Sequence, residues 1–323
     1  MELPDALREA VDRALEGVPL PPLARAAAAL SRRYRAEVRD GTPHVADDLS
    51  ARAYLATRLP ATYAAVRASL AAVAEARPDF APRTVLDVGA GPGSALWAAA
   101  ACWPGLEEAV LIEGSAVMRG FGERLSAAAP VARVAWRPDD AVAGLPDLAP
   151  RDLVLLAYVL GELPPEARGR LVDRLWSLAA DTLLIVEPGT PAGWTRVLAA
   201  RDRLIAAGAH VLAPCPHAAR CPVSPPDWCH FARRVARSRV HLRAKGAAAP
   251  WEDEKYIYVA VSRRPGIVPE ARIVAPRRSG GGHVRLKLCR RDGAAAERLV
   301  RRRDGDAFRT ARRLDWGDAL SVR

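Results

Sequence analysis

Residues 1 to about 76 place apolar side chains at three- and four-residue spacing, through L-P-D-A-L-R-E-A-V-D-R-A-L-E, then L-A-R-A-A-A-A-L-S-R-R-Y-R, then S-A-R-A-Y-L-A-T-R-L-P-A-T-Y-A-A-V-R-A-S-L-A-A-V. This period predicts helices, with Pro19, Pro21 and Pro22 breaking the first from the second. The segment reads as a helical cover over an adjacent core. From Thr84 the pattern shortens to β-branched or Leu-rich runs, T-V-L-D-V, A-V-L-I-E, R-V-A-W, D-L-V-L-L-A-Y and T-L-L-I-V-E, separated by helical stretches. Alternating strand and helix predicts an α/β fold, a parallel sheet with helices on both faces. H-V-L-A-P starts a further strand, a cysteine-rich stretch follows, and K-Y-I-Y-V-A-V-S resumes the strand pattern. That stretch, at about 213–250, reads as an insertion between two late strands. Beyond Pro265, the glycines 280–282, the alternating V-R-L-K-L-C and a final R-L-D-W-G-D-A-L predict a small β-rich appendage. The expected units are a helical segment 1–80, an α/β domain 81–262 and a β-rich domain 263–323.

Composition narrows the class. At 323 residues, half of them hydrophobic and 26% charged, the chain can form globular cores. Its net charge of +11 is concentrated at one end. Residues 263–323 carry seventeen Arg or Lys against seven Asp or Glu, and residues 215–262 carry eight against four. A concentrated basic surface attracts polyanions and releases their counterions, so nucleic acid is the expected partner. The residues singled out for that contact are Arg233, Arg234, Arg237, Arg239 and Arg243, with Arg277, Arg278, Arg301, Arg302 and Arg303 beyond them. Apolar stretches such as Leu153 to Gly161 fall short of the roughly 20 residues a bilayer span needs. The opening M-E-L-P-D-A-L-R-E-A-V-D is charged at nearly every turn, unlike a signal peptide. A cytoplasmic monomer with no membrane association is therefore expected, its thiols kept reduced.

The string T-V-L-D-V-G-A-G-P-G-S-A, Thr84 to Ala95, ends a strand with glycines at 89, 91 and 93 and enters a helix. Glycines there permit a tight turn and close approach of a ligand, with a helix N-terminus available to polar groups. The form D-V-G-A-G-P-G, with Asp87 two residues before the first glycine, resembles motif I of class I S-adenosylmethionine-dependent methyltransferases. Glu113, at the end of A-V-L-I-E, is spaced to accept hydrogen bonds from ribose hydroxyls. In that superfamily a later acidic residue lies near the adenine, and Asp139 or Asp140 fits the position. An Asn/Asp-Pro-Pro-aromatic tetrapeptide is absent after the fourth strand, and Cys102 reads as a buried small hydrophobe. Tyr158, Glu162 and Glu187 fall at strand ends, where open α/β sheets bind ligands. No catalytic base is nominated.

The segment A-P-C-P-H-A-A-R-C-P-V-S-P-P-D-W-C-H-F places Cys215, Cys221 and Cys229 close in sequence, and Cys289 is the remaining thiol of this third of the chain. Clustered reduced thiols argue for metal. The intervals suit zinc knuckles poorly, whereas iron-sulfur cages tolerate wider spacing, use four cysteines and often have proline beside a ligand. A 4Fe-4S cluster is the first reading; zinc completed by His217 or His230 is the alternative.

The glycine loop, Y-V-L-G-E-L-P, V-E-P-G-T-P-A-G-W, A-P-C-P-H, D-W-C-H-F and E-D-E-K-Y-I-Y-V together resemble the mitochondrial small-ribosomal-subunit methyltransferase-like family, that of methyltransferase-like protein seventeen and its bacterial relatives. The resemblance covers most of the chain from Ala53 onward. It implies a class I methyltransferase (Rossmann-like) sheet, a 4Fe-4S cluster on Cys215, Cys221, Cys229 and Cys289, and attachment to small-subunit ribosomal RNA during assembly. With no mitochondrial presequence read at the N-terminus, the role is expected to transfer to a bacterial-type ribosome. Two functions are carried forward: an S-adenosylmethionine-dependent rRNA methyltransferase or methyltransferase-like assembly factor, and a non-catalytic RNA-binding chaperone on the same fold.

Overall fold

The computed structural model describes residues 1–36, 44–139 and 144–320. Asp140 lies outside them. Four helices open the chain. α1 (Asp5–Leu15) buries Leu7, Ala10, Val11 and Leu15 as one stripe. α2 (Leu20–Arg35) begins on prolines, which suit a helix's first turn because the N–H they lack has no partner there anyway. α3 (Asp48–Thr57) is capped by Asp47, whose Oδ1 accepts the Ser50 N–H at 2.7 Å. α4 (Leu59–Ala76) is buried over most of its circumference, which its many alanines allow by letting neighbours approach closely.

The α/β portion follows as β1 (Thr84–Val88), α5 (Ser94–Cys102), β2 (Glu108–Ile112), α6 (Ala116–Ser126), β3 (Arg133–Arg137), β4 (Arg151–Ala157), α7 (Pro165–Leu178), β5 (Ala179–Pro188), α8 (Pro191–Ala206) and β6 (His210–Ala213). Then come β7 (Phe231–Ala236), α9 (Arg239–Lys245) and β8 (Trp251–Ser262). The sheet runs β3-β2-β1-β4-β5-β8-β6. Its first five strands are mutually parallel. β8 is antiparallel to β5 along one edge, and along the other it pairs with β7 through Trp251–Tyr256 and with β6 through Ala260–Ser262. This is the class I methyltransferase arrangement. Strand order reverses between β1 and β4, so the crevice for a ligand opens beyond their C-terminal ends. α4 packs against α5, β7 and β8.

Between β6 and β8, where an insertion at about 213–250 is expected, residues 214–230 form an irregular loop, while β7 belongs to the main sheet and α9 contacts α2 and α3. Register helps to hold β7 there: Arg233 and Arg234 of β7 stand opposite Glu254 and Asp253 of β8, so opposite charges pair across the strands.

The C-terminal residues form a second, five-stranded sheet of β9 (Ala271–Ile273), β10 (Arg278–Gly280), β11 (His283–Arg290), β12 (Ala295–Arg301) and β13 (Ala319–Leu320), with α10 (Asp306–Ala311) between the last two. Ile273, Val284, Leu286, Leu288, Val300 and Ala311 make its own small core. Among the described residues no helix is long and apolar enough to cross a membrane.

Candidate functional site

The crevice at the reversal between β1 and β4 is assembled from backbone. Gly89, Gly91 and Gly93 have φ of +67°, +55° and +86°, the left-handed region that only glycine enters at no steric cost. A Cβ on Gly89 would overlap Val159 Cγ2, so the loops after β1 and β4 touch there. Glu113, just past β2, accepts the Gly91 N–H at 2.8 Å through one carboxylate oxygen and the Ser115 N–H at 2.8 Å through the other. A carboxylate has about four lone-pair sites, so capacity remains for ribose hydroxyls. Asp87 is buried, and its Oδ2 has no hydrogen-bond partner among the described residues. Burial and the nearby Glu113 push its carboxyl up to about 7. An orphaned, costly acid at the floor of a glycine crevice fits a ligand that brings a cation or a donor. Asp139, half-buried beyond β3, accepts from Arg137 Nε at 3.0 Å.

Around the mouth, the three residues singled out in the sequence differ. Glu187 is wholly buried, pairs with Arg196 Nε at 2.7 Å and accepts the Leu160 N–H at 2.9 Å; it holds the loop after β4 in place. Glu162 is exposed at the mouth, and crowding by protein atoms, Glu113 and Glu187 raises its carboxyl above the usual range. Tyr158 has φ of +63°, a strained value for a side-chain-bearing residue. Its N–H donates to Val186 O at 2.8 Å and its hydroxyl to Glu254 Oε1 at 2.9 Å, and the two bonds hold it there.

Sequence reasoning missed the roof over this mouth. Tyr34 of α2 and Tyr54 of α3 lie near enough to Glu113 and Glu162 to feel their charge, and the Arg58 guanidinium lies 5.5 Å from the Tyr34 ring and 4.0 Å from Glu254. The only signal was aromatic and basic residues in otherwise alanine-rich helices.

A second concave site lies where the two sheets meet. Cys215, Cys221 and Cys229 of the 214–230 loop and Cys289 of β11 all line one cavity of about 40 Å³, together with His217 and apolar residues such as Trp194, Val197 and Tyr258. Burial first, then the neighbouring Cys215 and Cys221, push the Cys289 thiol up to about 12. Cys229 is raised by burial and by the other three sulfurs. His217 Nε2 is 3.3 Å from Cys289 Sγ. His230 instead packs between Trp228 and Trp316, at 5.1 and 4.8 Å between ring centroids. Among the described residues no group of three or more His, Cys, Asp and Glu closes into a shell that could hold a metal ion.

The arginines divide. Arg234 pairs with Asp253 at 3.1 Å, the half-buried Arg237 with Glu252 at 3.0 Å, and Arg277 donates to Leu314 O at 2.7 Å. Arg233, Arg239, Arg243 and Arg278 are exposed. Arg301, Arg302 and Arg303 line an open groove of about 640 Å³ on the C-terminal sheet, with Gly281, Gly282 and Arg285.

Residues 48–321 match the family model "Mitochondrial small ribosomal subunit Rsm22". The chain belongs to the Rsm22 family. Among members, it is 31% identical over 290 residues to the ribosome assembly protein METTL17, mitochondrial, of Homo sapiens, a match covering 83% of this chain and 62% of that protein. It is 26% identical over 194 residues to the Rsm22-cox11 tandem protein 2, mitochondrial, of Schizosaccharomyces pombe, covering 46% of this chain and 26% of that one. This Rsm22-family chain thus spans less than two thirds of either relative. A solved structure of magnesium protoporphyrin IX methyltransferase from Synechocystis PCC 6803 aligns with a TM-score of 0.41 at 16% identity, covering 77% of this chain and all of that one, a likeness too distant to bear on function. The expectation of a cytoplasmic protein is overturned: these relatives are mitochondrial proteins.

Proposed function

We propose that this protein is a methyltransferase-like assembly factor of the small ribosomal subunit that binds S-adenosylmethionine in the glycine crevice and ribosomal RNA on its basic C-terminal face. Family membership supports the ribosomal role. One observation supports the cofactor: the buried, partnerless Asp87 oxygen beside a glycine loop latched to Glu113. Asp87, Gly89, Gly91, Gly93, Glu113 and Asp139 would hold the cofactor, which supplies an electrophilic methyl group. The chain's own part in any transfer is proximity and orientation, fixing the donor against an RNA nucleophile. The Arg301–Arg303 groove and the exposed Arg233, Arg239, Arg243 and Arg278 would take phosphates.

In this reading Cys215, Cys221, Cys229 and Cys289 bind a structural 4Fe-4S cluster. The donor chemistry supports it: four thiols, no carboxylate and largely apolar walls around one cavity. Because Cys289 comes from the second sheet, the cluster would brace the basic face against the cofactor-binding half. Expected boundaries are 1–80, 81–262 and 263–323.

A non-catalytic assembly role on the same fold is the second reading. Gly89→Ala and Gly91→Ala chains, tested for small-subunit association and for RNA methylation, decide between the two. Association retained with one methyl mark lost supports the enzyme, and association retained with every mark intact supports the assembly role. An unaltered chain that binds neither S-adenosylmethionine in calorimetry nor small subunits in sedimentation overturns the proposal.

A further inference from the structure

Two arginines are buried beside the cysteine cavity, Arg201 on α8 in its lining and Arg272 on β9 outside the lining but opposite Cys289 in the sheet, at 2% and 4% exposure. A guanidinium keeps its charge at any ordinary pH, so burying one demands compensation. Arg201 donates Nη2 to the carbonyls of His217 and Ala219 at 2.9 and 2.8 Å, and Nη1 to Asp202 at 2.7 Å. Asp202 is 57% exposed, so its countercharge is largely spent on solvent. Arg201 also lines the cavity, and its buried Nε–H has no acceptor among the described residues. Arg272 donates Nε to Pro214 O and Nη1 to Gly317 O, both at 2.8 Å, and no carboxylate pairs with it among the described residues. The two side chains therefore grip the cysteine loop at 214 and at 217–219, on either side of Cys215. Their charges reach Cys215 and Cys289.

We infer that Arg201 and Arg272 are positioning residues for an anionic group in this cavity, fixing the loop that presents the thiols and favouring the more negative charge state of what those thiols hold. The inference rests on the cluster reading above. Four thiolates around an oxidised 4Fe-4S core make a dianion, and one added electron makes a trianion. Two fixed positive charges stabilise the trianion more, which raises the reduction potential, because net charge and hydrogen bonds to sulfur set that potential.

The test uses the full chain, purified and reconstituted without oxygen from ferrous iron and sulfide. Iron and sulfide per chain, the midpoint potential in a dithionite titration and the rate of iron loss to a chelator are measured. Arg201→Gln and Arg272→Gln are expected to lower the potential and to weaken iron retention about 10- to 100-fold, the usual scale for groups supporting metal ligands. Arg201→Lys is expected to restore the potential, which needs only charge, but not the retention, which needs both carbonyl bonds. An unaltered chain that takes up no iron and sulfide overturns the cluster reading and this inference with it. An unaltered chain that loads, beside glutamine variants of equal potential and retention, overturns this inference alone. If the glutamine variants do not fold, the lysine variants decide: retention equal to that of the unaltered chain overturns it.

Discussion

Glu113 and Gly91 are joined by a 2.8 Å hydrogen bond from the Gly91 N–H to the Glu113 carboxylate, which ties the loop after β1 to the end of β2. The same carboxylate is the proposed ribose acceptor, so it both shapes the crevice and meets the ligand. Glu113→Gln keeps the size but replaces a charge-assisted acceptor with a neutral one. Such bonds contribute about 1.5–3 kcal/mol, so affinity for S-adenosylmethionine should fall about tenfold or more by calorimetry. Equal affinity would remove Glu113 from the site.

Asp87, pushed up to about 7, makes the ligand-free protein sensitive to pH. Between its ordinary value near 4 and about 7 the folded state holds a proton that the unfolded state has released. Stability is therefore fully present below the unfolded value and is lost as pH rises through about 7. Thermal unfolding of the ligand-free chain should show Tm falling from pH 5 to pH 7 and levelling above, and Asp87→Asn should flatten that fall. Cofactor affinity should move the other way, rising by up to about tenfold per pH unit below 7, because a cationic ligand favours ionised Asp87. An affinity independent of pH in this window would dissociate Asp87 from the ligand.

The glycine crevice was more legible in the sequence than the cysteine site or the basic face. Asp87, Gly89 and Glu113 lie on consecutive strand-loop-helix units whose hydrophobic runs and glycines are local signals, so spacing carries the geometry. Cys289 shares a cavity with Cys215 only through the docking of a second sheet, a relation no local spacing encodes. β7 was obscured because F-A-R-R-V-A reads as a basic patch and E-D-E as an acidic one, whereas folding sets them side by side. Arg201 left one clue. It falls on the buried stripe of α8 with Val197, Ala200 and Leu204, where a charge is out of pattern.

Gly89 and Gly91 should respond differently to the same substitution. Both have positive φ, so alanine at either adopts a left-handed backbone at a cost of about 1–2 kcal/mol. At Gly89 the new methyl also overlaps Val159, a β-branched side chain with little freedom to turn away. At Gly91 the nearest atom is the flexible Met118 Cε at 3.6 Å. Urea unfolding should therefore show Gly89→Ala losing about 1–3 kcal/mol more than Gly91→Ala, the range for overpacking a filled site. Equal losses would mean that the two loops are not in contact.

Arg302 and Arg237 separate the groove from the pairs that merely look basic. Arg302 is exposed on the groove wall, and no carboxylate pairs with it among the described residues. Arg237 is turned onto Glu252 at 3.0 Å, with a side chain 13% exposed. A phosphate contact releases counterions, so neutralising one lowers the salt slope of RNA binding by about 1. Arg302→Gln should show that change in binding to small-subunit ribosomal RNA measured over a salt series, with stability unaltered. Arg237→Gln should leave the slope unchanged and cost some stability, because it removes one of the two cationic side chains, Arg237 and Lys245, that pair with the half-buried Glu252. The opposite pattern would move the RNA-facing surface from the C-terminal sheet to the β7 edge.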